Sequence, residues 1–88
     1  MIVSAIRQGR YVIGAHAVER LEERGILEWQ VVEAMEHPTY LGERHPGEPY
    51  PIAEFQLLLP DGTGVKAAWA WLEKSQVAKL ATIFYREA

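Results

Sequence analysis

Cysteine is missing altogether from the 88 residues, so neither disulfides nor a thiolate metal site can hold the fold together. A chain this short is near the size at which one apolar core suffices without such staples. Long apolar runs are missing too. No stretch approaches the ~20 residues that a membrane-crossing helix needs, and the opening MIVSAIRQGR lacks the apolar centre of a signal peptide. The cytoplasm is therefore the expected location. Nor is positive charge in excess: nine Lys and Arg against twelve Asp and Glu leave a formal net charge of −3. That is the wrong sign for a protein that coats nucleic acid indiscriminately, so any RNA contact must come from a local cationic patch. Repeats and low-complexity segments are also absent. What remains is one domain over residues 1–88, whose 49% hydrophobic content and three tryptophans must supply the core.

The clearest pattern in the chain is His16 to Gly25, HAVERLEERG. At about 100° per residue, His16, Arg20 and Arg24 fall one turn apart as a cationic stripe beside the apolar positions Ala17 and Leu21. Glu19, Glu22 and Glu23 fall on the far side. Like charges four residues apart cost a few tenths of a kcal/mol in an isolated helix, so the stripe needs a reason. One reason is an anion held at the rim of the core. The alternative is local pairing of Arg20 with Glu23 and of Arg24 with Glu28, while His16 caps a turn.

Around this stretch the chain divides readily. Apolar residues at 2, 3, 5 and 6 before Gly9 predict a short helix, and Tyr11 to Ile13 a brief extended segment. Gly14 then stands at the N-cap of the second helix, and Gly25 supplies its left-handed stop. A third helix is expected from Glu28 to His37, where Pro38 ends it. Thr39 to Leu41 predicts a short strand, and GERHPGEPYP, residues 42–51, an irregular loop. The remainder predicts a meander. Ile52 to Leu59 leads into the Pro60-Asp61-Gly62-Thr63-Gly64 turn. Val65, Ala67, Trp69 and Trp71 then alternate with Lys66, Ala68, Ala70 and Leu72. After Glu73-Lys74-Ser75, the segment Val77 to Tyr85 places Ala78, Leu80, Thr82 and Phe84 on one face if it is regular. Helices followed by strands predict an α+β domain, with the N-terminal helices packed on one face of a mainly antiparallel four-stranded sheet. Trp69 and Trp71 are expected in its core, the alternative being a partner-binding patch if that sheet face is left uncovered.

RYVIGAHAVERLEERGILEWQVVEAMEHPTYL, with YPIAEF and the terminal LATIFY, resembles the DUF4258 family of small bacterial proteins over nearly the whole chain. HA-x-x-R-x-x-x-R-G-I is the specific part. That family is similar to the RelE and BrnT toxins. The resemblance implies a RelE- or barnase-like fold, a toxin-like role beside a cognate antitoxin protein, and RNA as substrate, with no cofactor and no metal.

Cleaving RNA without a metal takes a base for the 2′-hydroxyl, a cation for the transition state and an acid for the leaving 5′-oxygen. His16 can serve as base or acid, since imidazole exchanges protons near neutral pH. Arg20 and Arg24 can hold a phosphate through paired N–H donors. From the last strand, Thr82 can position a phosphate oxygen, and Tyr85 can donate a proton or stack on a base. The family pattern Thr-Val-Tyr puts its tyrosine two residues after the threonine, whereas ATIFY puts it three after, on Tyr85. A regular strand turns Tyr85 to the other face from Thr82, and a bulge would change its facing. Arg44, His45 and Tyr50, in or beside the 42–51 loop, complete the candidate set as substrate-binding residues. His16, His37 and His45 show no metal-ligand spacing. Two other readings compete with a ribonuclease: a non-catalytic protein-binding module of the same fold, and a homodimer whose stripe only makes salt bridges.

Overall fold

The computed structural model describes residues 1–44 and 51–85. Its elements follow in the order α1 (Ile2–Arg7), β1 (Tyr11–Ile13), α2 (Ala15–Arg24), α3 (Glu28–Ala34), β2 (Thr39–Arg44), β3 (Ile52–Leu58), β4 (Gly64–Leu72) and β5 (Val77–Tyr85). The α+β class stands, but the sheet has five strands and is mixed, in the order β1-β5-β4-β3-β2. Four strands and an antiparallel sheet were expected. The difference is β1, which is too short to declare itself as a strand yet docks in parallel on the edge of β5, Tyr11 opposite Ala78 and Ile13 opposite Leu80. Two backbone bonds fasten its ends: Ala78 N–H donates to the Arg10 carbonyl at 3.2 Å, and Gly14 N–H donates to the Leu80 carbonyl at 2.9 Å.

Gly14 does more than cap α2. A Cβ built there would come 2.9 Å from the Leu80 carbonyl oxygen, closer than real contacts allow. A side chain would therefore push β1 off β5. At the other end of α2, Gly25 takes a left-handed conformation, φ 65°, and its N–H reaches back into the last turn. A two-residue step leads to α3, where Leu27 N–H donates to the Gln30 side-chain carbonyl at 2.8 Å. This helix ends at Ala34, a turn earlier than Pro38 alone requires, and β2 runs to Arg44, into the segment expected to be irregular.

All three helices cover one face of the sheet. Ala5 and Ile6 of α1, Ala17 and Leu21 of α2, and Val31 and Ala34 of α3 share one buried cluster with Phe55, Leu57, Val65, Trp69, Trp71, Leu80 and Ile83. Burying each large apolar side chain contributes roughly 1.5–3 kcal/mol. Both tryptophans lie in this core, as their alternation in β4 predicts. Among the described residues no helix lies over the sheet's other face. There Ile52, Ala68 and Ala70 form a small buried group of their own. No helix among the described residues is long and apolar enough to cross a membrane.

Candidate functional site

The position of Tyr85 turns on one extra residue. β4 and β5 pair regularly from Leu72↔Val77 to Trp69↔Leu80, and again from Ala68↔Thr82 to Val65↔Tyr85. Two residues of β5 advance while β4 advances by one, so Ala81 is bulged out of the ladder. Up to Leu80 the even-numbered residues face the helices. Beyond the bulge the odd-numbered ones do, and Ile83 joins the core while Tyr85 comes up against α2. The expectation that Thr82 and Phe84 share a face with Ala78 and Leu80 is thereby corrected.

Thr82 is the casualty among the candidate residues. Its register partner Ala68 belongs to the face opposite the helices, as does Lys66, whose ammonium lies 5.8 Å from the ring centre of Phe84. Thr82 and Tyr85 therefore project from opposite faces and cannot hold the same phosphate.

Tyr85 meets the C-terminal end of α2. Its hydroxyl donates to the Arg24 carbonyl at 2.9 Å, satisfying one of the carbonyls that every helix end leaves open. The Arg24 guanidinium in turn lies 5.2 Å from the centre of the Tyr85 ring, a cation–π distance. Arg24 Nε is buried and donates to no other group among the described residues. The local-pairing alternative had Arg24 pairing with Glu28. It turns instead to an aromatic ring, and among the described residues no carboxylate pairs with it.

Arg20 behaves as the local-pairing alternative has it, with Nη1 3.0 Å from Glu23 Oε2 at the surface. Both side chains are well exposed, so screening by water leaves that bond weak and exchangeable. His16 is exposed at the first turn of α2. Eight helical residues separate it from Arg24, about 12 Å along the axis. The stripe is therefore a ridge beside the core and not a closed pocket, with Arg24 and Tyr85 meeting at its C-terminal end.

His45 and Tyr50 lie outside the described residues, and Arg44 is described only by its backbone position opposite Ile52. Sequence reasoning missed the Arg24–Tyr85 contact itself. The signal was the spacing of ATIFY, whose tyrosine needs a bulge to reach the helices. Compared with known protein families, with curated proteins and with solved structures, the chain finds no match.

Proposed function

We propose that the chain is a toxin-like RNA-cleaving protein held in check by a cognate antitoxin, with its working residues on the α2 ridge and at Tyr85. The observation that supports this reading best is the Arg24–Tyr85 pair: a guanidinium with no carboxylate partner among the described residues, set against a tyrosine. Cation and proton donor stand together at the edge between helix and sheet, where an extended phosphodiester can approach. In an acidic protein, such a spot is where an anion binds first.

The chemistry distributes as follows. A base takes the proton of the 2′-hydroxyl as its oxygen attacks phosphorus, and the bond from phosphorus to the 5′-oxygen breaks as that oxygen gains a proton. Arg24 stabilises the charge that develops on the phosphoryl oxygens. Tyr85 supplies the proton to the leaving oxygen, and a water molecule takes the 2′-hydroxyl proton, because His16, about 12 Å along the ridge, is too far from that phosphate to be its base and meets only a more distant part of the RNA. Arg20 joins once the RNA phosphate displaces Glu23. Thr82 has no part in this arrangement.

Induced expression of the chain alone in bacteria tests the reading. It should arrest growth, and Arg24→Ala should relieve the arrest while leaving a folded protein. Purified chain should shorten a labelled single-stranded RNA. Normal growth with abundant folded protein, together with intact RNA, would discard the proposal.

A further inference from the structure

At the other end of the helix-covered face, a second concavity lies between α1 and the strands β2, β3 and β4. It encloses about 410 Å³, within the range of sites that bury a ligand group. Val3, Tyr40, Phe55 and Trp71 form apolar walls, and Glu43 and Glu73 stand among the lining residues. Along β4, Trp71 is six residues from Val65, the partner of Tyr85, which is about 20 Å. The groove is thus separate from the α2 ridge, and the inference drawn from it goes beyond the proposed RNA chemistry.

Two features define what fits. Glu73 is pinned: one carboxylate oxygen accepts the Trp71 indole N–H at 2.6 Å. A carboxylate fixed beside an apolar hollow is complementary to a cation carried on an apolar body. Among the described residues that line the groove there is no lysine or arginine. The second feature is β2. It is the edge strand of the sheet and pairs only with β3 among the described residues. Its outer backbone groups can accept another strand, and Tyr40 and Glu43 reach from this strand to the groove.

We infer that the groove takes an extended segment of a partner protein, lying beside β2, with one large apolar side chain in the hollow and a lysine or arginine against Glu73. Tyr40, whose ring centre is 5.6 Å from that of Phe55, forms the wall nearest the edge. It is 56% exposed, so its surface is open to the incoming side chain.

A phage-displayed library of random peptides panned against the full chain tests this. The enriched peptides should share a large apolar residue and a Lys or Arg within a few positions. They should bind Glu73→Gln at least about 10-fold more weakly than wild type, with a shallower salt dependence, and Tyr40→Ala more weakly still. Both substitutions are at exposed side chains, and circular dichroism verifies that each variant folds. Enrichment without that signature overturns the inference, as does equal binding to wild type and both variants. Self-association of the chain that buries the groove and is lost in Tyr40→Ala would assign the surface to a second copy and equally overturn it. None of these outcomes depends on growth arrest or RNA cleavage.

Discussion

Tyr85 and Arg24 grip each other twice: the tyrosine hydroxyl bonds to the arginine carbonyl at 2.9 Å, and the arginine guanidinium lies 5.2 Å from the tyrosine ring centre. The first contact ties the end of β5 to the end of α2. The second holds a cation at that junction. Stability and the proposed chemistry therefore both pass through Tyr85, and they separate by substitution. Tyr85→Phe retains the ring under the guanidinium and removes the hydroxyl. It should cost about 0.5–1.5 kcal/mol in urea unfolding, and it should abolish RNA shortening if the hydroxyl donates the proton. Arg24→Lys retains charge but loses the planar donor pair, so it should weaken RNA binding with little change in stability.

Gly14 is required for space and Gly25 for conformation, and the two should respond differently. Gly14→Ala forces a contact 2.9 Å from the Leu80 carbonyl, so the β1–β5 pairing must give way at about 1–3 kcal/mol. Gly25→Ala meets nothing within 4 Å but must hold φ 65°, at roughly 1 kcal/mol. Hydrogen exchange distinguishes them. The first should deprotect Gly14 and Ala78 selectively, while the second should fray the last turn of α2.

The two tryptophans of the core offer a paired test. Trp69 is fully buried and its indole N–H has no hydrogen-bond partner among the described residues, whereas Trp71 donates to Glu73 at 2.6 Å. In Trp69→Phe, removal of an unsatisfied donor offsets a cavity cost of about 1 kcal/mol or more. Trp71→Phe carries a cavity cost and also loses a charge-assisted bond. Unfolding free energies should show Trp71→Phe as the more damaging change by about 1 kcal/mol.

Asp61 responds to acid. Its carboxylate accepts the Thr63 N–H at 3.0 Å, and that bond to the charged form lowers its pKa from the ordinary 3.8. A depressed folded value means that the native turn binds fewer protons than the unfolded chain. The stability it adds is present above the unfolded value and disappears as pH falls through the folded one. Carbon-detected NMR titration should give a midpoint for Asp61 below 3.8 that returns upward when the chain is unfolded in urea.

The residues that could be read from the sequence were those whose structure is settled within a few neighbours. Gly25 stops α2 because a left-handed residue does so anywhere, and Trp69 and Trp71 share one face because of the two-residue period, turned inward because so short a chain needs its largest residues inside. Thr82 and β1 depend on partners far along the chain. The bulge at Ala81 is decided by how β5 lies on β4, and one displaced residue exchanges the faces of everything after it. β1 becomes a strand only because the edge of β5 is free. Arg24 had acidic neighbours close in sequence but found its partner 61 residues away.

β5 is the last strand in chain order, yet it lies inside the sheet, between β1 and β4. Assembly of the sheet therefore waits on this strand: until Val77–Tyr85 is in place, β1 has nothing to lie on and Ala17 and Leu21 have no floor. A partly folded chain in which β5 has not yet docked should therefore be a target for chaperones and proteases.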